Sequence, residues 1–301
     1  MIEVKEISKS FGKVQALSKV TFKIEEGHVF GLIGTNGAGK STFLRIMSGV
    51  LRPDEGSILM DGKPIYETVE SKKEIFFISD DQYFSRGSSI WEIALFYKTF
   101  YPKFDEAKCK ALLEKFGLES SKKIQYLSKG MKKQIMIILG ICANTKYLLC
   151  DETFDGLDPV MRQAVKVLFV KEMEDRGLTP IIASHNLREL EDICEFVGLL
   201  HNGGILFSQD VDEMKLNIHK LQCVIKEDEM LTYIKEHIEV IATEKRGSLY
   251  TLTVRGNRSE IDDFMNGCNL IFYELIPLSL EEIFISETEV VGYDIKKLIL
   301  G

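Results

Sequence analysis

No CxxC pair occurs in this 301-residue chain, and its six cysteines (Cys109, Cys142, Cys150, Cys194, Cys223, Cys268) are scattered. That spacing gives no zinc ribbon and no disulfide framework. It reads as reduced thiols filling a core in a cytosolic protein. Also missing is any apolar run near the roughly 20 residues that span a bilayer. The longest, 135–143, falls far short. The start, Met1-Ile2-Glu3-Val4-Lys5-Glu6, lacks the apolar core of a secretory signal. Positive charge is in deficit: 38 Lys and Arg against 46 Asp and Glu leave a net −8. Free nucleic acid is therefore not the expected partner. What remains is ordinary for a globular chain, 45% hydrophobic and 28% charged, with length enough for two domains.

Against these absences stands the stretch Gly34-Thr35-Asn36-Gly37-Ala38-Gly39-Lys40-Ser41-Thr42. It fits the phosphate-cradling pattern G-x-x-x-x-G-K-[ST]. An apolar strand-like run, 28–33, leads in, and a helix-like run, 41–50, leads out. Glycines let the backbone approach an anion, and the helix start adds its positive end. Lys40 is expected to reach the outer phosphates and the Ser41 hydroxyl to bind Mg²⁺.

The rest of the first two hundred residues alternates short apolar strands with helices. Val20, Phe22 and Ile24 mark an alternating strand; 57–60 and 75–79 read as strands, and 90–143 turns helical. Strands follow at 147–150 and 181–183, with helices at 160–176 and 187–194. Residues 195–207 read as a hairpin around Asn202-Gly203. This alternation predicts a largely parallel, covered sheet. Beyond residue 211 the order becomes strand 221–225, helix 227–237, strands 239–243 and 248–254, helix 259–265 and strand 270–275. That βαββαβ order is ferredoxin-like. A last helix is expected at 279–289. The apolar tail 290–300 is either a frayed terminus or a segment that packs on a neighbour.

Further motifs narrow the chemistry. The strand 147–150 delivers Asp151 and Glu152 at its carboxyl end. Asp151 is placed to hold Mg²⁺ through water, and Glu152 to polarise an attacking water. Ser128 and the backbone near Gly130, in Leu127-Ser128-Lys129-Gly130-Met131, form a second helix-start anion site. His185 ends the strand at 181–184, within reach of a terminal phosphate.

Over residues 2–210 the chain resembles the ATP-binding subunit of ABC (ATP-binding cassette) transporters. Walker A is 34–42, the signature is 127–131, Walker B is 147–151 and the D-loop is 155–158. The resemblance implies an α/β, P-loop NTPase ABC cassette at 1–210. Such a cassette has a RecA-like parallel-sheet core, an antiparallel β subdomain and a helical subdomain at about 83–145. A small α+β domain follows at 211–301. It also implies Glu152 as general base, His185 as switch histidine and Phe11 as the aromatic stacked on adenine. ATP would contact Phe11, Asn36, Gly37, Ala38, Gly39, Lys40, Ser41 and Thr42. Two cassettes, identical or different, would face head to tail around two ATP, so that Ser128 and Gly130 serve the partner's nucleotide.

Several positions depart from the family pattern. Asp80 takes the usual Q-loop glutamine position, with Gln82 the alternative, so either contacts the Mg²⁺ region. Thr153 replaces a proline, and Lys129 and Met131 replace the signature's glycine and glutamine. Ser128, Gly130, Glu152 and His185 remain, so an active ATPase is expected. The aromatics Trp91, Phe96, Tyr97, Phe100, Tyr101 and Phe104 divide between core packing and a groove for a membrane subunit.

The resemblance is strongest to exporters of bacitracin-type antibiotics and cytolytic peptides, phenol-soluble modulins among them. It implies a separate transmembrane permease and a place at the cytoplasmic face of the membrane. The other class is a soluble ATPase of translation or DNA maintenance. One phosphate loop, a short gap between motifs and an acidic total disfavour it.

Overall fold

A computed structural model describes residues 1–290 apart from Arg86 and Asn269; the tail beyond 290 lies outside the described residues. The chain divides into two compact units, Met1–Ser208 and Gln209–Gly301.

The first unit opens with β1 (Ile2–Phe11), β2 (Val14–Ile24), β3 (Phe30–Ile33) and α1 (Lys40–Met47). It continues through β4 (Glu55–Met60), β5 (Lys63–Pro64), α2 (Val69–Lys73) and β6 (Ile75–Ile78). Then come α3 (Ile90–Phe100), α4 (Glu106–Lys115), α5 (Lys129–Cys142), β7 (Tyr147–Asp151) and α6 (Pro159–Arg176). It ends with β8 (Thr179–Ser184), α7 (Leu187–Glu191), β9 (Phe196–His201) and most of β10 (Gly204–Asp210), whose last two residues fall past the boundary.

Two sheets result. One is antiparallel, in the order β2-β1-β4-β5. In β2 the alternation is realised, with Val20, Phe22 and Ile24 buried and Thr21 and Lys23 exposed. The other has the order β10-β9-β3-β8-β7-β6 and is parallel from β9 through to β6. Its strands β3, β7 and β8 are buried at every position, as an unbroken apolar run demands when both faces are covered. Phe30, Leu32, Phe43, Leu44 and Leu149 join one core with Val4 and Phe22 of the antiparallel sheet.

Helix ends follow local chemistry. The expected helix 41–50 stops at Met47, because Ser48 caps it and Gly49 turns left-handed at φ +69°. Helix 187–194 shortens to α7, with Asp192 at its C-cap. Asn202 and Gly203, both with positive φ, form the turn between β9 and β10.

The second unit holds α8 (Val211–Asn217), β11 (Ile218–Val224), α9 (Asp228–His237), β12 (Glu239–Arg246) and β13 (Leu249–Arg255). It closes with α10 (Arg258–Gly267), β14 (Tyr273–Pro277) and α11 (Leu280–Val290). The sheet is antiparallel in the order β12-β13-β11-β14, the ferredoxin-like arrangement. Leu221, Cys223, Leu252 and Val254 of one face pack with Ile234 of α9 and Ile261 and Met265 of α10. The sequence reading did not include α8. Its signal was Asp210, whose side chain accepts from the Glu213 N–H as a helix cap. β11 follows α8 directly at Ile218 rather than 221, and β14 begins at Tyr273 rather than 270.

Candidate functional site

The carboxyl ends of β3, β7 and β8 bring the motifs together, as open α/β sheets do with ligand sites. β8 lies between β3 and β7 in the sheet. Ile33 pairs with Ser184, and Asp151 with Ala183. This register sets Glu152 level with the end of β8. Its N–H donates to the Ala183 carbonyl at 2.9 Å.

The loop after β3 turns on Ala38, whose N–H donates to Thr35 at 3.1 Å. Gly39 has φ +108°, and a Cβ there would lie 2.4 Å from the Ala16 carbonyl. Only glycine satisfies both conditions. Thr35, Asn36 and Gly37 are exposed at the loop tip, while Ala38 is buried and Ser41 and Thr42 are half-buried. Phe11 ends β1, half exposed, with the Lys9 ammonium 5.7 Å from its ring centre.

Lys40 is buried and folds back on its own loop. Its ammonium donates to the Gly34 carbonyl at 2.7 Å and to Thr35 at 3.2 Å, and stands 3.4 Å from Glu152 Oε1. Glu152 Oε2 lies 2.9 Å from His185 Nδ1 and 3.4 Å from the His185 N–H. One carboxylate thus spans the phosphate-loop lysine and the histidine after β8. Its backbone is held at φ +45°, a left-handed conformation that costs a non-glycine residue about 1 kcal/mol or more.

Asp151 is buried, and Ser41 Oγ donates to its Oδ1 at 3.1 Å. Burial pushes its carboxyl above the usual range. The Ser41 hydrogen bond opposes this, the charges of Glu152 and Asp80 add to it, and Lys40 offsets part. A hydroxyl beside crowded hard carboxylate oxygens is a donor set that fits Mg²⁺.

The signature segment leads into α5. Ser128 is its N-cap and accepts from the Met131 N–H at 3.2 Å. A Cβ on Gly130 would stand 2.9 Å from the Gly156 carbonyl, so the D-loop backbone packs directly on the signature. Asp158 caps α6 by accepting from the Met161 N–H at 3.0 Å, with Pro159 in the first turn. Thr153 turns inward and is buried.

Asp80, just beyond β6, lies 3.1 Å from the Lys133 ammonium and 3.8 Å from that of Lys129. The Gln82 amide nitrogen is buried with no hydrogen-bond partner among the described residues. Lys133 itself was not singled out from sequence. Nothing local marks it: it lies between Lys132 and Gln134 in the polar first turns of α5. The aromatic cluster divides. Tyr97 and Tyr101 lie tilted against Phe76, and burial pushes the Tyr101 phenol up to about 12. Phe96 and Phe100 remain more than half exposed, 5.1 Å apart on α3.

A glycine loop between a buried strand and a helix, with two carboxylates at the end of the next strand but one in a parallel sheet, defines a P-loop nucleotide-binding protein. Residues 17–155 match the family described as ABC transporter. The chain is 31% identical over 287 residues to the ABC transporter ATP-binding protein YtrB of Bacillus subtilis (strain 168), covering 95% of this chain and 98% of that one. It is 31% identical to the methionine import ATP-binding protein MetN of Clostridioides difficile (strain 630), over 87% of this chain and 85% of that protein. With the lantibiotic transport ATP-binding protein SrtF of Streptococcus pyogenes it shares 30% identity over 70% of this chain and 92% of that protein. A solved ATP-binding subunit of an ABC transporter superposes with TM-score 0.66 at 26% identity, over 71% of this chain and 92% of that one. The chain belongs to the ATP-binding proteins of ABC transporters, ATPases whose turnover is coupled to transport.

Proposed function

We propose that this chain is the ATP-hydrolysing subunit of an exporter, working as a head-to-tail pair around two ATP and driving a separate membrane permease. The observation that carries the reading is the Glu152 carboxylate, held by Lys40 on one side and His185 on the other. In that position it is the general base for an attacking water. His185 orients the base through Nδ1 and turns its other ring nitrogen toward the terminal phosphate. Lys40 and the loop N–H groups of 35–42 hold the phosphates, and Phe11 stacks on adenine.

Ser41 and Asp151 hold Mg²⁺, which supplies charge neutralisation at the transferring phosphoryl group. Ser128 uses its oxygen to cap α5, so its hydroxyl hydrogen is available to the partner's nucleotide, with Gly130 keeping the approach open. Exposed Phe96 and Phe100 offer an apolar patch to the permease. No helix among the described residues is long and apolar enough to cross a membrane, so coupling to transport needs a separate spanning chain. The likeness to SrtF, a lantibiotic transport protein, supports a lantibiotic-like substrate; that to MetN, a methionine import protein, makes import the competing direction.

A membrane-solubilised pull-down with tagged Glu152→Gln protein, ATP and Mg²⁺ tests the assembly. A multi-span membrane protein in the eluate is the expected result. Ribosomal or DNA-bound partners without one would move the chain to the soluble ATPases.

A further inference from the structure

Lys133 is 1% exposed, a burial that charged side chains tolerate only with partners. Its ammonium makes two contacts. It donates to the main-chain carbonyl of Glu152 and lies 3.1 Å from the Asp80 carboxylate. Both main-chain polar groups of Glu152 are thereby fastened: the N–H to Ala183 in β8, the C=O to Lys133 in α5. The residue so fastened is the one with left-handed φ at the end of β7. A backbone strained at a functional site persists only where its surroundings over-determine it.

We infer that Lys133 is a positioning residue for ATP hydrolysis, its ammonium clamping the strained Glu152 main chain so that the carboxylate is aimed, with Asp80 as its counter-ion. The inference rests on the reading of Glu152 as the base. It also gives Asp80 a task other than binding metal. Asp80 follows β6 and begins the segment that leads to α3, and Ser128 caps the same helix that carries Lys133. The clamp therefore joins the segment before α3, the signature helix and the base through one charged group. Without the ammonium the carbonyl of Glu152 keeps only the longer hydrogen bond from the Asp155 N–H, at 3.3 Å. A small drift of the carboxylate then lowers the rate without changing how the phosphate loop holds ATP. Misplacement of a reacting group by about 1 Å costs up to roughly 10²-fold.

The test uses the full chain and four variants: Lys133→Met, Asp80→Asn, the two combined, and Glu152→Gln as reference. Steady-state kcat and KM for ATP and the thermal midpoint are measured for each. Lys133→Met is expected to lower kcat about tenfold or more while KM stays within about twofold. Asp80→Asn, at a half-exposed position, is expected to lower kcat by about threefold. In the combined variant Asp80→Asn should add nothing, because Lys133, the partner through which it acts on Glu152, is gone. A merely structural role would lower the midpoint and leave kcat and KM of the folded protein alone. The inference is overturned if both single variants keep kcat within about twofold of the parent, or if their losses multiply in the combined variant. Should Lys133→Met not fold, Asp80→Asn decides alone: a fall in kcat at constant KM supports the clamp, and unchanged kcat sinks it. If Glu152→Gln itself keeps the parental rate, the assignment of the base has failed, whatever Lys133 does.

Discussion

The two units of this chain obey packing rules to different degrees. Among the described residues, every non-glycine position with positive φ (Glu6, Lys19, Asp61, Glu67, Asn144, Glu152, Asn202) falls in the first unit. So do the buried charges Lys40, Lys133, Asp151, Glu172 and Glu189. The second unit has His219 as its one buried titratable polar group among the described residues, apart from its cysteines and tyrosine. Its sheet alternates, with an apolar face toward α9 and α10. The opposite face carries Lys220, Gln222, Glu244 and Thr251 along a cavity of about 360 Å³. Of the first unit's strained and buried charged residues, Glu152, Lys40, Lys133 and Asp151 lie together at the candidate site, where strain and buried charge are expected. The core of the second unit is apolar, and its ion pairs, such as Lys220–Glu282 and Arg255–Glu239, lie outside that core.

The largest expected effect separates function from stability in the first unit. The Asp151 carboxyl is pushed up by burial, so its ionised form is disfavoured in the fold. Stability contributed by this group is lost as pH rises from the ordinary 3.8 through the raised value. At pH 7 the ionised group therefore costs stability, and Asp151→Asn should remove that cost. The variant is expected to lose ATPase activity by about 10²-fold or more, yet to unfold about 2 °C or more above the parent in nucleotide- and metal-free buffer. Calorimetry beside an activity assay checks both. A lowered midpoint would mean that the buried charge is not the liability proposed.

In the second unit the largest effect should come from packing. Leu252 is fully buried in its core, and Leu252→Ala should cost that unit about 2–5 kcal/mol. Hydrogen exchange should show opening confined to residues after 208, with exchange in the phosphate loop unchanged. Faster exchange in β3 and β7 would erase the contrast between the units.

A smaller effect attaches to His219. Burial holds its imidazole below the ordinary 6.5; the Leu216 carbonyl opposes this, the Arg258 charge adds to it, and the Gly256 carbonyl opposes. A depressed histidine favours folding while neutral, so stability is lost as pH falls through 6.5 toward the depressed value. His219→Leu should flatten that dependence in exchange experiments between pH 7 and about 5. The smallest effect is an absence of reaction. Burial pushes the Cys150 thiol up to about 12 and Cys223 up to about 11, and all six cysteines are buried. Iodoacetamide should label none in the native chain at pH 8 and all after denaturation.

The first unit was legible where local pattern and chemistry coincide. The phosphate loop, the carboxylates at 151–152 and the histidine at 185 declared themselves because each sits where a buried strand ends. Turn chemistry at Asn202-Gly203 and the stop at Gly177 were equally local. Lys133 was not legible, because its meaning depends on Asp80 and Glu152, 53 and 19 residues away in sequence. The separation of Tyr97 and Tyr101 from Phe96 and Phe100 likewise needed Phe76 in place. In the second unit the strand order followed from βαββαβ alone. The helix 211–217 was missed because its apolar positions are few and its capping aspartate sits at the end of a strand. Periodicity gives elements; the pairing of distant charges needs the fold.

The central claim is that Glu152, between Lys40 and His185, is the base of an ATP hydrolysis site. Its most direct test is single-turnover ATP hydrolysis by Glu152→Gln beside a direct measurement of ATP affinity. The rate should fall by about 10²-fold or more, with ATP bound at least as tightly as by the parent. Hydrolysis at the parental rate would contradict it.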